Sequence, residues 1–180
     1  MLSVKLGRLN TRNKPPIFAS SKRKKWVKGL PKRFSSSVML LETLDGRLLT
    51  VKSNYKAYWS LPGGIIDPSE TPRETAMRET NEEVGITVKA HEVSFVAVID
   101  RKSEVAETYQ FIFKAPLTDE MSKRITLQAS EIDEYEFVTK QQVLSRDRPY
   151  AKALAHWANG TIGYIEQTFE GGSNVRRNKG

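Results

Sequence analysis

The sequence predicts an α/β (α+β) sandwich, in which helices cover a mixed β-sheet. Three observations predict this fold: a β-hairpin pattern near residue 40, a capped amphipathic helix that begins after Thr71, and later runs of β-branched and aromatic residues. The 180 residues, 38% hydrophobic and 28% charged, fit one globular domain with short extensions. Two large domains are therefore excluded.

The first predicted element is the hairpin. Two apolar runs, Ser37–Glu42 and Arg47–Lys52, flank Asp45-Gly46, a dipeptide typical of tight turns. A further extended segment, Tyr58–Leu61, leads into Pro62-Gly63-Gly64, which predicts a sharp turn with close approach of another backbone.

The segment after residue 70 carries the strongest helix signal. Thr71 supplies an N-cap hydroxyl, Pro72 is suited to the first helical position, and Glu74 completes a capping box. Gly85 favours the left-handed conformation that ends many helices. The buried face is predicted from spacings of three and four, and comprises Ala76, Met77, Thr80 and Val84.

The second half of the chain predicts more strands and two helices. Strands are expected at Val93–Ile99, Glu107–Ala115 and Tyr135–Thr139, since these runs are rich in β-branched and aromatic residues. A short helix is expected at Lys140–Leu144 and a longer one at Tyr150–Trp157.

The net charge of +8 is unevenly distributed. Residues 1–37 hold eleven Lys and Arg and no acid, residues 38–170 hold fifteen against twenty-one, and residues 171–180 hold three against none. The counts predict a basic, weakly ordered N-terminal arm (1–37), a mildly acidic domain (38–170) and a flexible basic tail (171–180). An acid-free N-terminus is also found in organellar transit peptides, although this one has no clean apolar helix face.

Composition excludes several classes of protein. The absence of cysteine excludes disulfides, thiolate metal sites and cysteine nucleophiles, and only two histidines are present. The longest apolar run, Val38–Leu41, is far shorter than the roughly 20 residues of a membrane-spanning helix. No secretory signal is apparent, so we expect a cytoplasmic protein that does not enter a membrane.

Three glutamates on the predicted helix suggest a metal site. Glu79, Glu82 and Glu83 lie at i, i+3 and i+4, where like charges repel, and two of them lie at the negative end of the helix dipole. A divalent cation bound by oxygen, such as Mg²⁺, Mn²⁺ or Ca²⁺, would neutralise them. The alternative is an acidic helix face that is solvated and has no ligand.

The surrounding residues favour the functional interpretation. Gly63-Gly64 allows backbone groups to approach the same ion or a phosphate, Arg78 can bridge to Glu82, and Glu70 lies in the loop before the helix. An arrangement that breaks a local rule without structural gain is typical of a functional site.

This segment resembles the signature of the Nudix (MutT-type) hydrolases. The matching positions, at the family's spacing over residues 64–86, are Gly64, Glu70, Arg78, Glu79, Glu82, Glu83, Gly85 and Ile86. Thr80 departs from the pattern, since the family usually has an aliphatic residue there. Its hydroxyl can bond back to a helix carbonyl, so we expect an effect on packing rather than on chemistry.

The resemblance implies a Nudix-type α/β/α sandwich with a loop-helix-loop catalytic motif, and Mg²⁺- or Mn²⁺-dependent hydrolysis of a pyrophosphate bond. The bond would lie in a nucleoside diphosphate linked to another group. The implied metal ligands are Glu79, Glu82, Glu83 and the carbonyl of Gly63. Arg78 and Glu70 correspond to an orienting salt bridge, and Gly63 and Gly64 are also expected to contact substrate.

The general base is harder to assign, because its position varies within the family. Glu131 resembles a downstream metal-binding or basic glutamate of some members, with Glu134 and Glu104 as alternatives. All three can equally be ordinary solvated loop acids. His91 and His156 are expected to be structural.

Four aromatic residues are candidates for stacking on a base: Trp59, Tyr109, Phe111 and Phe113. Aromatic residues in strands more often belong to the core. Trp59 is the one we take as a candidate substrate contact.

The substrate is left open among several classes. The leading hypothesis is a free nucleotide: a nucleoside triphosphate, a nucleotide sugar or an ADP-ribose type compound. The proline that ADP-ribose hydrolases often carry after the signature is replaced by Lys102. The alternatives are hydrolysis at the 5′ end of RNA, with residues 22–33 and Trp26 binding the nucleic acid, or a catalytically silent nucleotide-binding domain. A homodimer is also possible.

Overall fold

The computed structural model describes residues 20–30, 32–103, 106–146 and 148–168. The chain divides into two compact units, residues 1–32 and residues 33–180. The flexible tail predicted for residues 171–180 lies outside the described residues, as does most of the predicted arm.

The first unit contains helix α1 (Ser20–Lys28), which the sequence did not predict. Lys25 and Lys28 lie in its last turn, where positive charge interacts favourably with the helix dipole. Gly29 follows, and its N–H donates to the carbonyl of Trp26 at 3.0 Å. This part of the predicted weakly ordered arm is therefore helical.

The second unit is built on a mixed sheet. Its strands within the described residues are β1 (Phe34–Thr43), β2 (Leu48–Ser53), β3 (Gly63–Ile65), β4 (Ser94–Lys102), β5 (Glu107–Leu117), β6 (Ile132–Val138) and β7 (Gly163–Thr168). They pair in the order β6-β2-β1-β5-β4-β7, and β3 also pairs with β1. The pairs β1–β5 and β4–β7 are parallel, and the other pairs are antiparallel.

Among the described residues, the helices of this unit are α2 (Pro72–Val84), α3 (Asp119–Ser122), α4 (Lys140–Ser145) and α5 (Lys152–Ala158). Ala90–Glu92 forms a 3₁₀ turn. Helix α2 begins with the predicted capping box, in which the Thr71 N–H donates to Glu74 Oε2 at 2.7 Å and Thr71 Oγ1 accepts from the Glu74 N–H at 3.3 Å. It ends at Gly85, whose φ of 71° is left-handed. Sequence and structure agree on this helix.

Strand β1 supplies apolar side chains to both faces of the sheet. Met39 and Leu41 point to one face, where they join a core that includes residues of α2. Val38 and Leu40 point to the other face, where the core includes residues of α4 and α5. The sheet thus lies between two helical layers, which confirms the predicted sandwich.

Several sequence-based expectations need correction. Pro62-Gly63-Gly64 is not a sharp turn, because Gly63 and Gly64 belong to β3 and pair with β1. The extended segment Tyr58–Leu61 makes only isolated bridges, from Trp59 to Tyr150 and from Ser60 to Val51. Strand β7 was missed because its alternation of apolar and polar residues is weak, and β1 starts at Phe34, before the expected Ser37.

An ion-pair group, here called the Arg33 cluster, joins the start of the domain to β4, β5 and β7. Arg33 Nη1 lies 2.7 Å from Asp100 Oδ1, and Arg33 Nη2 lies 2.6 Å from Glu107 Oε2. The Tyr164 hydroxyl donates to Asp100 Oδ2 at 2.8 Å, and Asp100 is only 6% exposed. The guanidinium of Arg33 also lies 4.9 Å from the centre of the Tyr109 ring.

No helix among the described residues is long and apolar enough to span a membrane.

Candidate active site

A cleft of about 520 Å³ contains most of the predicted site residues. Residues of β1, β3, α2, β4 and β5 line it, together with the segment between β2 and β3, the turn before β6 and the start of α5. The predicted residues that line it are Gly63, Gly64, Arg78, Glu79, Glu83 and Glu131. Glu70 and Glu82 are attached to this group through Arg78.

Arg78 holds three glutamates together, and these four residues are called the Arg78 cluster. Its Nε and Nη2 donate to the two carboxylate oxygens of Glu70, at 2.8 and 3.0 Å. Its Nη1 donates both to Glu79 Oε1 at 2.9 Å and to Glu82 Oε2 at 2.7 Å. The predicted bridge from Arg78 to Glu82 and the predicted pair with Glu70 are both present.

Glu70 is fixed in its charged form. Besides Arg78, the Thr75 hydroxyl donates to Glu70 Oε2 at 2.7 Å. The hydrogen bonds from Arg78 and Thr75 lower the pKa of Glu70 to about 2. Because Glu70 accepts from Nε and Nη2 of Arg78, the remaining nitrogen, Nη1, faces Glu79 and Glu82.

Glu83 is the buried carboxylate of the site, with 2% exposure. Its Oε2 accepts a hydrogen bond from the Gly63 N–H at 2.9 Å. Burial raises the pKa of Glu83 to about 7, and the nearby carboxylates of Glu79 and Glu131 add to the rise. Lys56 and the Gly63 N–H offset only part of this cost.

Glu79 lies against the backbone of Gly64. A Cβ atom at Gly64 would lie 2.7 Å from Cδ of Glu79, so a side chain there would displace this carboxylate from its position beside Arg78. Burial is the largest cause that raises the pKa of Glu79, and Glu82 and Glu131 contribute. The close backbone approach predicted at the glycine pair is instead the pairing of β3 with β1, in which Gly63 lies opposite Val38.

Gly63 is constrained in two ways. Its φ of 145° disfavours any residue with a side chain, and a Cβ atom there would lie 2.6 Å from Cα of Val38. The family resemblance implies that the carbonyl of Gly63 is a metal ligand. The side-chain contact found at Gly63 involves its N–H, which binds Glu83.

Glu131 reaches the cleft because Asn54 positions the turn before β6. The Asn54 N–H donates to the Glu131 carbonyl at 2.9 Å, and its Nδ2 donates to the Ser130 carbonyl at 2.7 Å. Of the two alternatives, Glu134 is exposed on β6 opposite Lys52 and does not line the cleft, and Glu104 lies outside the described residues. Sequence reasoning missed Asn54, since nothing in the local pattern indicates contact across 76 residues.

The donor set fits a divalent cation. Within the described residues no three acidic or histidine side chains converge as a preformed metal site, because Arg78 Nη1 lies between Glu79 and Glu82. The charge of Glu131 nevertheless adds to the cost of ionising Glu79 and Glu83, and nearby cations only partly compensate. All available donors are oxygens, as Mg²⁺ and Mn²⁺ prefer.

The aromatic residues in the cleft differ from the predicted ones. Tyr55 and Tyr58 line it, but Trp59 does not. Successive residues of an extended segment point to opposite sides, so Tyr58 and Ser60 face the cleft while Trp59 turns toward Arg148, 5.6 Å from its ring. The structure therefore does not support Trp59 as a substrate contact.

The three aromatic residues of β5 also lie away from the cleft. Tyr109 contacts Arg33, Phe113 is buried in the core beside α2, and Phe111 packs against that core. Alternation along β5 places Gln110 in the cleft instead.

The remaining predictions concern Thr80 and the histidines. Thr80 is fully buried, and its Oγ1 donates to the Ala76 carbonyl at 2.7 Å, as expected for a threonine in this position. His91 is exposed in the 3₁₀ turn, and His156 lies on α5, where burial and the neighbouring charge of Arg101 lower its pKa. Neither histidine lines the cleft.

The comparison with known proteins agrees with this geometry. The model of the NUDIX domain matches residues 31–158, which include strands β1 to β6, α2 and the residues that line the cleft. The chain therefore belongs to the NUDIX domain family.

Curated relatives are similar over shorter segments. A MutT-like protein of Streptomyces ambofaciens is 42% identical over 52 residues, which are 29% of this chain and 34% of the relative. An RNA pyrophosphohydrolase of Pseudomonas savastanoi is 37% identical over 68 residues, which are 37% of this chain and 42% of the relative. The similarity thus spans less than half the length of these two relatives.

A solved structure supports the fold. The MutT NUDIX hydrolase of Burkholderia pseudomallei superimposes with a TM-score of 0.61 over 73% of this chain and 100% of its own. Its sequence identity of 17% means that this likeness concerns the fold alone.

Proposed function

We propose that this protein is a Mg²⁺- or Mn²⁺-dependent hydrolase of a pyrophosphate bond in a nucleoside diphosphate linked to another group. The observation that carries the proposal is the set of carboxylates assembled around Arg78 and Gly63-Gly64 in one cleft. Buried carboxylates with too little compensating charge destabilise a fold, but they can bind a cation that neutralises them.

The ion would be held by Glu79, Glu82, Glu83 and the Gly63 carbonyl. When bound, it supplies positive charge that lowers the pKa of water and offsets the charge on the phosphates.

The chain's own groups perform the remaining tasks. Glu70 keeps Arg78 in place through two hydrogen bonds, so the arginine stays beside the ligands. Lys56 lines the cleft and can bind phosphate oxygens. Glu131 is exposed at the cleft and is the candidate to accept a proton from the attacking water.

The test is phosphate or pyrophosphate release with excess Mg²⁺ or Mn²⁺ and with EDTA. The panel contains nucleoside triphosphates, ADP-ribose, nucleotide sugars, dinucleoside polyphosphates and 5′-triphosphate RNA. We expect metal-dependent turnover that Glu82→Gln reduces by about a hundredfold or more, since a ligand charge is lost. Glu92→Gln in the 3₁₀ turn, outside the cleft, is the matched control.

Silence of the wild-type protein on every substrate, or a Glu82→Gln variant as active as wild type, would contradict the proposal. The first result would favour a nucleotide-binding domain without catalysis.

A second candidate, hydrolysis at the 5′ end of RNA, is favoured by helix α1. Its nine residues include five Lys and Arg, and Trp26 is 53% exposed. A basic segment with an aromatic side chain suits a nucleic-acid backbone and its bases. The Pseudomonas relative is named an RNA pyrophosphohydrolase, which adds support.

A deletion separates the two candidates. The deletion removes residues 1–31 and keeps Arg33, because Arg33 pairs with Asp100 and Glu107 inside the domain. If RNA ends are the substrate, cleavage of 5′-triphosphate RNA should fall at least about tenfold at low salt while free nucleotides are spared. Equal loss or equal retention of both activities would count against RNA.

A further inference from the structure

A second polar group lines the cleft, and the proposed reaction does not use it. Arg101 on β4 and Gln110 on β5 both line the cleft, and Arg101 Nη2 donates a hydrogen bond to Gln110 Oε1. They lie on the same face of the sheet as Ile99 and Ile112, because residues two apart in a strand share a face. Arg101 and Gln110 are called the cleft pair.

The guanidinium of Arg101 has few partners. It makes no ion pair within the described residues, and its Nε–H is buried without an acceptor. Burial lowers the pKa of Arg101, because no carboxylate compensates its charge. Arg101 is therefore a partly buried cation with hydrogen-bond donors to spare.

The hydrogen bond between the two side chains fixes the orientation of Gln110. An arginine side chain only donates, so the amide of Gln110 must turn its oxygen toward Arg101. The NH₂ group of Gln110 then has no acceptor among the described residues. The N–H groups of the cleft pair that have no partner among the described residues are donors, and they complement neighbouring acceptors on a ligand.

The cleft that contains the cleft pair also has an apolar lining that can pack against a flat ring. Apolar and aromatic side chains line the same cleft: Val38, Tyr58, Leu61, Ala151 and Ala153. A nucleobase buries two apolar faces and presents its polar groups only at the edge. Phosphate groups are better served by Lys56, Arg78 and the backbone at Gly63-Gly64.

We propose that the cleft pair recognises the base of a nucleotide and selects a base with adjacent acceptors at its edge. Guanine and hypoxanthine present O6 and N7 in this way. Adenine carries an amino group in place of O6, so its donor would meet the donors of the cleft pair. The inference rests on the proposed function, because it assigns the base preference of the same site.

The first experiment compares ITP with ATP in the presence of Mg²⁺. The two substrates have the same sugar, phosphates and N7, and they differ at position 6 and in the proton that hypoxanthine carries on N1. We expect kcat/KM to be about tenfold higher for ITP, the discrimination typical of a pair of hydrogen bonds to a base edge. Equal values would overturn the inference.

Variants of the cleft pair test its role directly. Arg101→Met keeps the aliphatic stem, and Gln110→Glu keeps the shape but introduces an acceptor. Both should reduce the ITP-to-ATP ratio to within about twofold, while Arg47→Met, which removes the same charge at the exposed β1–β2 turn, should retain it. If Arg101→Met slows both substrates equally, the pair binds phosphate and the inference is wrong.

Binding of the monophosphates separates base recognition from catalysis. Isothermal titration calorimetry of the full chain should show IMP bound about tenfold more tightly than AMP, and Arg101→Met should abolish the difference. If IMP is preferred but no triphosphate is hydrolysed, base recognition stands and the proposed reaction fails. Hydrolysis without base preference in either assay would overturn the inference alone, and a failure of both monophosphates to bind would also overturn it.

Discussion

The Arg33 cluster and the Arg78 cluster are both built from one arginine and several carboxylates, but they differ in balance. In the Arg33 cluster, two carboxylates are met by a guanidinium and a tyrosine hydroxyl. In the Arg78 cluster, three glutamates share one guanidinium, and Glu83 and Glu131 add further negative charge beside them. The carboxylates of the Arg33 cluster thus have partners within the cluster, whereas those of the Arg78 cluster leave negative charge that a ligand can neutralise.

The largest expected difference comes from removing each arginine. Arg78→Met should reduce kcat/KM about 10- to 100-fold, because Glu70 loses its partner and the ligands lose their orientation. Arg33→Met should leave kcat/KM within about twofold and reduce only the free energy of unfolding, since Arg33 does not line the cleft that holds the carboxylates. Steady-state kinetics and urea unfolding of both variants test this, and similar kinetic losses would erase the distinction.

The next effect concerns Glu83 in the metal-free protein. Its pKa is raised to about 7, so its burial carries no charge cost below the pKa of the unfolded chain, and this cost reaches its full size as the pH rises through 7. In EDTA at pH 8, Glu83→Gln should therefore be more stable than wild type by about 2–3 kcal/mol.

Urea unfolding in EDTA from pH 4 to pH 8 measures this difference. The advantage of Glu83→Gln should vanish near pH 4, where the wild-type carboxyl is protonated in both states. An advantage that does not depend on pH would show that charge is not its cause.

A smaller effect is expected from Asp100 in the balanced cluster. Asp100→Asn keeps the shape but removes the charge that Arg33 and Tyr164 contact, so the free energy of unfolding should fall by roughly 1–2 kcal/mol. Mg²⁺ should neither restore this loss nor change its size. A loss of stability that Mg²⁺ repairs would place Asp100 in the metal site and contradict the comparison.

The smallest effect is the titration of Tyr164. The hydrogen bond to Asp100 raises the pKa of Tyr164 to about 12, so the bond stabilises the fold below pH 10 and is lost as the pH rises through 12. Ultraviolet titration of phenolate should show one late tyrosine that disappears in Tyr164→Phe. Tyr135→Phe, an exposed tyrosine on β6, should leave the late component unchanged.

The sequence predicted those parts of the fold that depend on local signals. Thr71, Glu74 and Gly85 lie within one helix and its caps, so α2 was predicted correctly. Strands β3 and β7 depend on partners that lie far away in the chain, and three residues at Gly63–Ile65 are too few to show a period. The glycine pair consequently suggested a turn.

The residues of the site also separate into those that local sequence signals predict and those that depend on contacts between distant segments. The carboxylates of α2 and their arginine could be predicted because their spacing on one helix is fixed. Tyr58, Asn54 and the cleft pair could not, because they reach the cleft through sheet pairing and turns between distant segments. Trp59 and Tyr58 are adjacent, and only the structure shows which of the two faces the cleft.

The parallel pairing of β1 with β5 has a consequence for the order of folding. The β1–β2 hairpin and α2 are local, but β1 joins β5 with Phe34 beside Thr108. Non-local pairings form slowly, because the chain loses loop entropy before the contacts stabilise it. Asn54 likewise meets the turn of Glu131 only when the β2–β6 pairing is established. We therefore expect the cleft to be completed late, after its helix has formed, so that a partly folded chain carries the glutamates without the site.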